Sequence, residues 1–588
     1  MKRNIGRTLL QGGAALLVAA AAVTGLRAGK DDFGLGRNME IMVNMMRELS
    51  LQYVDEVSPD KFMKDGAAGM VRNLDPYTQY MSEDDMSKFE VLATGKYGGI
   101  GALIRMKRDS SGVVIAQPYK GSPSDMAGLK IGDRFVSIDG VDVTHSSTED
   151  ISTRLKGAPG TTVRLAVERL MTGKVEEMEI QRARITIPGV PYAGFVADSI
   201  GYIRHNDFTD GCYDEMRAAV ERLRKDGRLK GLILDYRDNG GGSLPEAVKI
   251  LSMFLPKGTE VITMKGRSEQ SKRTYATESN PVLPDTPIVV LINDNTASAS
   301  EIVSGALQDL DRAVLMGQRS FGKGLVQTLV PLGYNSYLKL TTAKYYIPSG
   351  RCVQQINYSE HKADGSAEII PDSLISEFRT RNGRKVYDGK GLMPDVKIEP
   401  EYISTFAMIL YNLGYIEDFL DEYMRRHPDM KVDNRTFSIT DRDYEDFVKF
   451  MADKDVPYES KTRMALDLLK RTAKEERYDS DFAEDLKQIE TKLKDQKADN
   501  LRTYRAEITD LLNDDIILRH NYYEGVVEHN LVADSTVIRA VELLGDRARY
   551  DKILTEQDSA TDCAGRQDKS GHPAYPSPGG ERDWEWRD

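Results

Sequence analysis

The stretch PIVVLINDNTASASEIVSGALQDL, Pro287 to Leu310, changes its hydrophobic pattern halfway along. Residues 288–292 form an unbroken apolar run rich in β-branched side chains, which is typical of a strand. From residue 299 the apolar side chains recur at helical spacing: Ile302, Val303, Ala306, Leu307 and Leu310. The stretch therefore predicts a strand that runs through a short polar loop into an amphipathic helix.

Strands and helices alternate in the same way around this stretch. SIGYIRHN and GLILDYR have the apolar pattern of strands, whereas CYDEMRAAVERLRKDG and LPEAVKILSMFL have that of helices. Such alternation produces βαβ units, whose strands form a largely parallel sheet. We therefore predict an α/β domain over residues 184–400.

The region before this domain has two parts. Residues 31–95 are predicted to be helical, with one helix over 38–56 and another over 59–73 that Pro76 ends. We interpret the methionine-rich stripe of the first helix as a packing surface. Residues 96–183 consist of short β segments separated by turns, which predicts a small β-rich module.

One short helix interrupts the β-rich module. The sequence GSPSDMAGLKIGD predicts a helix capped by Ser122 or Ser124 that stops at Gly128. The rest of the module is predicted to be strands and turns.

The region after the α/β domain is helical and charged. Residues 401–557 contain segments such as SKTRMALDLLKRTAKEE and FAEDLKQIETKLKDQ, whose charges we interpret as solvated helix faces. Residues 558–588 have the composition of a disordered tail.

The chain has 588 residues, of which 40% are hydrophobic and 29% charged. These fractions are ordinary for soluble globular domains. The formal net charge of −12 disfavours a chain-wide nucleic-acid role, because such proteins present basic surface to phosphates.

The N-terminus has the composition of an export signal over residues 1–30. MKRNIGR is basic, and GGAALLVAAAAVTGL is uncharged and mostly apolar. The run is shorter than the ~20 residues that span a bilayer. Residues 26–28 form a poor cleavage site, so an uncleaved anchor and a buried helix stay open as alternatives. We predict an exported, periplasmic protein, with anchorage to the inner membrane left open; no cysteine follows the run directly, which argues against a lipoprotein.

Cysteine and histidine do not form a recognisable site. Cys212, Cys352 and Cys563 are scattered, so we interpret them as incidental, with one disulfide left open. No Cys or His cluster has metal-ligand spacing. The sequence predicts no metal and no cofactor.

The segment GQRSFGKG, residues 317–324, begins like a phosphate-binding P-loop. The residue after Lys323 should then be Ser or Thr, and a helix should follow. Gly324 stands there instead, and LVQTLVPL has the pattern of a strand. These departures argue against a P-loop and leave Lys323 for another chemistry.

Ser298 lies where the strand-loop-helix stretch enters its helix. A serine there is either an ordinary N-cap or a nucleophile, with the amide of Ala299 directed at a developing oxyanion. The glycine loop, DYRDNGGGS over Asp235–Ser243, follows a predicted strand and offers further backbone amides. Taken alone, this segment would be interpreted as a plain strand-to-helix loop; its place beside Ser298 favours the oxyanion-hole interpretation.

A serine nucleophile needs a base. No histidine is near in sequence, although a distant one could fold in. Lys323 can serve if burial brings its pKa from about 10.4 to near neutrality, at a cost of about 4 kcal/mol. Gln327 follows at an even spacing and could orient the lysine amine if both lie in one strand.

At this point the sequence resembles the carboxyl-terminal processing (tail-specific) proteases. The segments TASASEI and ALQDLDRAVLMGQRSFGKGLVQ resemble their serine–lysine core, and the glycine loop resembles their D-[LY]-R-x-N-x-G-G loop. LDPYTQYM resembles their N-terminal signature and GKGLMPDV the end of their core. KYGGIGALI and GSPSDMAGLKIGDRFVSIDG look like their PDZ module. The resemblance covers about residues 38–400; the helical region 401–557 departs from it, and Tyr236 stands where leucine is commoner.

The resemblance implies a fold and a set of roles. The fold is an α/β crotonase-like protease core with an inserted β-rich PDZ domain, here followed by an α-helical C-terminal region. Ser298 is then the nucleophile, Lys323 the general base and Gln327 the residue that positions the lysine. Gly242 and Ala299 provide the oxyanion-hole amides.

The PDZ resemblance implies how a substrate is chosen. The segment from Tyr97 to Gly101 would bind a C-terminal carboxylate through backbone amides, which gives this role to Gly98, Gly99, Ile100 and Gly101. The strand that follows would pair with the peptide.

Together these features predict an exported serine endopeptidase that recognises unfolded or C-terminally exposed polypeptides and cleaves them. A non-catalytic PDZ scaffold for envelope proteins is the alternative, and an acyl-CoA-type crotonase enzyme is disfavoured by the export signal. An adaptor protein, membrane association through the N-terminal segment and a homo-oligomer stay open; no nucleic-acid partner is predicted.

Overall fold

The computed structural model describes residues 32–361, 367–458, 461–478, 480–493 and 497–556. The predicted export signal, the predicted disordered tail and Cys563 lie outside the described residues. The chain divides into two compact units. Residues 32–82 and 329–340 belong to the first, and the other described residues belong to the second.

The first unit contains two helices and a short strand: α1 (Asp32–Gln52), α2 (Pro59–Val71) and β1 (Gln79–Met81). Helix α2 begins where the sequence predicts because the hydroxyl of Ser58 accepts a hydrogen bond from the amide of Lys61 and Pro59 occupies its first turn. Strand β1 pairs antiparallel with residues 337–339.

The methionine-rich stripe of α1 is packed in part: Met42, Met46 and Leu49, which share one face of the helix, are half-buried. The exposed side chains include Leu35, Met39, Ile41, Val43 and Met45. The interpretation of the stripe as a packing surface is therefore wrong for these residues.

The β-rich module of the second unit follows helix α3 (Glu83–Thr94). Its elements are β2 (Lys96–Gly99), β3 (Ala102–Met106), β4 (Val113–Pro118), α4 (Pro123–Met126), β5 (Arg134–Ile138), β6 (Val141–Asp142), α5 (Thr148–Leu155), β7 (Thr162–Glu168), β8 (Val175–Gln181) and β9 (Ala183–Thr186). An antiparallel sheet has the order β3-β4-β5-β7-β8. Strands β2 and β9 pair where the chain enters and leaves the module, as expected for an inserted domain.

The central sheet of the second unit is an α/β sheet. Its elements begin with β10 (Tyr192–Ala197), β11 (Ile200–Arg204), α6 (Cys212–Lys225), β12 (Gly231–Asp235) and α7 (Leu244–Leu251). After an intervening hairpin of β13 (Glu260–Gly266) and β14 (Arg273–Ala276) come β15 (Ile288–Ile292), α8 (Ala299–Asp309) and β16 (Val314–Gly317). The sheet has the order β10-β11-β12-β15-β16-β23, all parallel except β10, so the predicted parallel sheet is confirmed.

Further strands follow the central helices. They are β17 (Leu325–Gly333), β18 (Ser336–Tyr346), β19 (Ile356–His361), β20 (Ala367–Ile369), β21 (Glu377–Arg379), β22 (Lys385–Tyr387) and β23 (Val396–Lys397). The β-like pattern after Lys323 is thus confirmed as a strand.

The C-terminal region is helical, as predicted. Its helices are α9 (Thr405–Asn412), α10 (Tyr415–Arg426), α11 (Asp441–Phe450), α12 (Lys461–Glu475), α13 (Ala483–Lys492), α14 (Lys497–Thr503), α15 (Arg505–Asn530), α16 (Ser535–Gly545) and α17 (Arg547–Thr555). Most side chains of α12 and α13 are exposed or half-buried, which confirms the interpretation of their charges as solvated. Helix α15 is kinked at Tyr522, whose φ of 58° and ψ of −172° are not helical.

The two faces of the central sheet are covered by different parts of the chain. Side chains alternate along each strand: Leu234 and Val290 pack toward α6, α7 and α8, whereas Ile233 and Leu291 belong to a separate cluster. That second cluster is completed by side chains of the C-terminal region: Val527, Leu531, Val537, Ala540, Leu543, Leu544 and Tyr550. The end of the helical region is therefore part of the core of the α/β domain.

The C-terminal helices also contact the β-rich module. The ammonium of Lys107, just beyond β3, lies 3.1 Å from a carboxylate oxygen of Asp421 in α10. The hydroxyl of Tyr522, at the kink of α15, donates a 2.6 Å hydrogen bond to Asp125 in α4. We find no helix among the described residues with the length and apolar character of a membrane span.

Tyr550 offers a test of how strongly the C-terminal helices hold the sheet. Its buried hydroxyl donates to the carbonyl of Ile288 (2.9 Å) and accepts from the amide of the same residue (3.0 Å). Tyr550→Phe should lower the free energy of unfolding by about 1–3 kcal/mol, because it leaves buried backbone groups unsatisfied. Tyr334→Phe, at a fully exposed tyrosine, should have no effect. Equal urea midpoints for wild type and Tyr550→Phe would contradict this account.

Candidate active site

Ser298 lies at the junction of β15 and α8. It is the N-cap residue of α8, and its φ of 56° is a left-handed conformation that a serine adopts only under constraint. The following residue, Ala299, begins the helix, so its amide lies at the positive end of the helix dipole. Both uses foreseen for Ser298, helix cap and nucleophile, are compatible with this placement.

The glycine loop packs directly against Ser298. The carbonyl of Asn239 accepts hydrogen bonds from the amide of Ala297 and the hydroxyl of Ser300, both at 3.0 Å. At Gly241 the backbone is so close that a Cβ would lie 2.7 Å from the amide nitrogen of Ala299. The loop and the start of α8 therefore form one structure, as the hypothesis of a shared oxyanion hole requires.

The amides of Gly242 and Ala299 make no hydrogen bond within the described chain. The amide of Gly241, by contrast, donates to the side chain of its neighbour Asn239 at 2.9 Å. The amides of Gly242 and Ala299 are the two assigned to the oxyanion hole by resemblance; among the described residues the amide of Gly240 has no acceptor either.

Ser298 and Lys323 are joined through the buried carboxylate of Glu301. One oxygen accepts from the amides of Ser298 (2.9 Å) and Lys323 (2.8 Å). The other accepts from the amide of Gly322 (2.7 Å) and the hydroxyl of Ser320 (2.6 Å). One side chain therefore fixes the backbone of the predicted nucleophile and of the predicted base together.

A tyrosine joins the same two residues on their carbonyl side. The buried hydroxyl of Tyr345 donates to the carbonyl of Lys323 at 2.6 Å and lies 3.2 Å from the carbonyl of Ser298. Sequence reasoning missed both Tyr345 and Glu301. Glu301 could have been found from the sequence, because an acidic residue three positions after an N-cap serine has the spacing of a capping box. Tyr345, which lies in β18, has no such sequence pattern.

Burial raises the pKa of Glu301 to about 7, and its hydrogen bonds from Ser320, Lys323, Gly322 and Ser298 oppose that rise. All four groups donate to the carboxylate, so the ionised form satisfies every contact. The cost of burying the charge is the larger effect, so the carboxyl group keeps its proton to a higher pH than a free glutamate does.

Gln327 lies near the start of β17, and its side-chain amide donates to the hydroxyl of Thr341 at 3.2 Å. Strand β17 begins at Leu325. The even-spacing argument therefore does not extend back to Lys323, and the role of Gln327 stays a prediction.

His205, which is distant from Ser298 in the sequence, lies next to the glycine loop in the structure. The carbonyl of His205 accepts from the side chain of Asn239 at 2.8 Å. Its ring is fully buried, with Nε2 3.0 Å from the carbonyl of Asp207. Burial lowers the pKa of His205 to about 3, so the ring is a packed, neutral part of the core.

The predicted carboxylate loop connects β2 to β3. Gly98 and Gly99 end β2, Ile100 is buried, and Gly101 has a φ of 79°. The carbonyl of Gly101 accepts from the hydroxyl of Ser122 at 2.8 Å. The same serine is the N-cap of α4, which settles the choice between the two predicted caps.

Strand β3, which follows the carboxylate loop, is at the edge of its sheet. Within the described chain it pairs with β4 only, and α5 packs near it. A free strand edge beside a helix is the arrangement to which an extended peptide can add as a further strand.

The described residues contain no group of His, Cys, Asp and Glu side chains that could hold a metal ion. Cys212 and Cys352 are free thiols. The thiol of Cys352 lies beside the backbone of Gly324, the residue after Lys323, since a Cβ added at Gly324 would meet it at 3.0 Å.

Three family models match this chain. The model "Peptidase family S41" matches residues 199–362, and "PDZ domain" matches residues 114–169. The model "Probable PDZ-protease, C-terminal helical domain" matches residues 406–544. These residues lie in the helical region that departs from the family resemblance found in the sequence.

Curated relatives agree with these models. A "Carboxy-terminal-processing protease" of Bartonella bacilliformis is 33% identical over 337 residues, which are 57% of this chain and 74% of that protein. A "Probable CtpA-like serine protease" of Staphylococcus aureus is 32% identical over 65% of this chain and 73% of its own length. Among solved structures, a "photosystem II D1 C-terminal processing protease" is 27% identical over 61% of this chain and 87% of that one, with a TM-score of 0.33.

The fold and these matches define a serine-type peptidase with a PDZ domain and a C-terminal helical domain. The chain belongs to the carboxy-terminal-processing protease family, within peptidase family S41.

Two neighbouring glycines provide a matched test of the site. Gly241→Ala should lower kcat/KM at least about a hundredfold, because its φ of 99° disfavours a side chain and the new Cβ would meet Ser298 and Ala299. Gly240→Ala should change kcat/KM less than about twofold, since a Cβ there meets nothing within 4 Å. Steady-state cleavage assays compare them; equal losses in both variants would show that the close approach to Ser298 is unimportant.

Glu301 should make stability depend on pH. Its folded pKa of about 7 exceeds the ordinary 4.5, so the folded protein keeps a proton that the unfolded chain releases between these values. As pH rises through this window, wild type should lose free energy of unfolding relative to Glu301→Gln, by on the order of 3 kcal/mol. Urea denaturation at about pH 5 and about pH 8 measures the difference; the same pH dependence in both proteins would contradict the assignment.

Proposed function

We propose that this protein is an exported endopeptidase that binds the C-terminal tail of a polypeptide in its PDZ domain and cleaves the polypeptide with a Ser298–Lys323 dyad. The observation that carries the proposal is the shared attachment of both residues to Glu301 and Tyr345. Two residues that exchange a proton must be kept at a fixed distance and orientation. The contacts with Glu301 and Tyr345 fix the backbones of Ser298 and Lys323 relative to each other.

We infer that the core is of the crotonase type. The support is the parallel sheet in which β12 leads into the glycine loop and β15 leads into the helix that begins after Ser298. Two neighbouring strands thereby provide the amides of Gly242 and Ala299.

The proposed reaction begins when Lys323, in its neutral form, takes the proton of the Ser298 hydroxyl. The oxygen attacks the carbonyl carbon of the scissile peptide, and the amides of Gly242 and Ala299 stabilise the oxyanion. The C–N bond then breaks, and Lys323 gives its proton to the leaving amine. Water attacks the acyl-enzyme ester, which releases the new carboxylate and restores the Ser298 hydroxyl.

Gln327 is proposed to orient the amine of Lys323. Its place near the start of β17 supports this role, since only Gly324, Leu325 and Val326 separate the two residues. Because its amide also contacts Thr341, it is itself held in place.

The PDZ domain is proposed to select the substrate. A free C-terminal carboxylate would bind the backbone of Gly98, Gly99, Ile100 and Gly101, and the peptide before it would pair with the free edge of β3. Backbone pairing is tolerant of the side-chain sequence, so the free carboxylate is the feature that marks a tail as substrate. We propose that the tail is also mostly apolar.

Export to the periplasm, with or without an inner-membrane anchor, is proposed from the basic and apolar N-terminal segment. The substrates would then be envelope proteins that need C-terminal processing or removal. An adaptor protein and a homo-oligomer are further candidates for partners.

The test is cleavage of an unfolded protein with an apolar C-terminal tail, without nucleotide or added metal. Ser298→Ala and Lys323→Ala should each lower kcat about a thousandfold or more. Arg319→Ala, at an exposed position of the same segment, should retain activity. The same substrate with a C-terminal carboxamide should show a kcat/KM reduced about tenfold, because the carboxylate loop loses its ligand. Wild-type protein that binds the tail but never cleaves it would favour the PDZ scaffold instead.

A further inference from the structure

A carboxylate from the C-terminal helical domain reaches the glycine loop. One oxygen of Asp534 accepts a 2.7 Å hydrogen bond from Nη2 of Arg237, although the two residues are 297 positions apart in the chain. Arg237 lies two residues after the end of β12, at the start of the segment that carries Gly242. The contact therefore joins α16 to the proposed oxyanion hole.

Arg237 lies between two carboxylates. Its Nε and Nη2 also contact Asp235, at 3.0 and 2.6 Å. Asp235 is fully buried and already accepts from the hydroxyl of Tyr202 (2.7 Å) and lies 3.1 Å from Nη1 of Arg204. Two guanidinium groups thus face one buried carboxylate.

Asp534 supplies the second negative charge near Arg237. The other acidic group nearby is Asp238, which lies 3.5 Å from Arg204 and has a largely exposed side chain. A buried or half-buried guanidinium without a matching carboxylate is costly. Asp534 is therefore the group that balances Arg237 and keeps it against Asp235.

The path of the glycine loop depends on such external contacts. Asp238 has a φ of 62°, Gly241 of 99° and Gly242 of 137°, a sequence of conformations that a free chain does not favour. On one side Asn239 attaches the loop to the segment of Ser298. On the other side Arg237 attaches it to the sheet and to α16.

Asp534 is itself held rigidly. Its second oxygen accepts from the amide of Val537 at 3.0 Å, so the residue is the N-cap of α16. Buried side chains of α16 pack on the central sheet. The carboxylate that binds Arg237 is therefore fixed relative to the strands that carry the site.

We propose that Asp534 is a positioning residue for catalysis: through Arg237 it holds the glycine loop, so the C-terminal helical domain completes the active site. This inference rests on the proposed function, because it assumes that the amide of Gly242 stabilises the oxyanion. Asp534 does not touch the reacting atoms and acts only through Arg237.

The decisive variant is Asp534→Asn. Asparagine is as good an N-cap as aspartate, so α16 keeps its first turn, but the amide cannot balance the charge of Arg237. We expect kcat to fall about ten- to hundredfold, the range of a hydrogen bond between charged groups, with KM for an apolar-tailed substrate unchanged. The melting temperature should fall, because Arg237 loses its second carboxylate, so kcat is compared well below the transition, where both proteins are folded.

A matched control lies in the next helix. Asp546 caps α17 by accepting from the amide of Arg549 at 3.0 Å, and no ion pair is found for it among the described residues. Asp546→Asn makes the same chemical change at a cap without an arginine partner, and it should leave kcat unchanged.

A double-mutant cycle shows whether Asp534 acts through Arg237. Arg237→Gln should lower kcat, and adding Asp534→Asn to it should lower kcat no further. Independent, multiplying losses would overturn the proposal, as would wild-type kcat in Asp534→Asn. If wild type shows no Ser298-dependent cleavage at all, the proposed function has failed instead, so the two failures are distinguishable.

Discussion

The carboxylate of Glu301 is the contact on which the rest of the site depends. It lies in the first turn of α8 and accepts hydrogen bonds from the backbone at Ser298 and at residues 322–323. Two segments that are separated by a helix and a strand are thereby fixed to one side chain. Burial makes this arrangement costly for an ionised group, and four donors offset part of that cost. A short or flexible substitute would leave the proposed nucleophile and the proposed base on independent elements.

Much of the fold could be predicted because its signals are local. The strand-loop-helix stretch at Pro287–Leu310 and the period-2 segments of the β-rich module carry their pattern within a few residues. The packing of α16 on the central sheet could not be predicted in the same way. Its buried residues Val537, Ala540 and Leu544 would suit any apolar partner, and nothing in their spacing specifies the central sheet. The kink at Tyr522 could not be predicted either, because no helix-breaking residue occupies that position.

The candidate site was recognisable for a different reason. Ser298, Lys323 and the glycines of the loop belong to motifs, and the structure places the backbones of all three segments together. Glu301 was readable from its distance to Ser298, whereas Tyr345 and Asp534 approach from elements far along the chain. Residues that act by supporting others depend on tertiary contacts, which a single sequence does not record. The orientation of Lys323 by Gln327 is still a prediction from resemblance.

The covering of the central sheet by α16 and α17 has a consequence for biosynthesis. Tyr550 bonds to a strand residue that is made 262 residues earlier. Because a chain emerges from the ribosome N-terminus first, one apolar face of the sheet stays uncovered until the residues of α16 and α17 have been made. A chain truncated before α16 would keep its serine and lysine yet expose that face to aggregation.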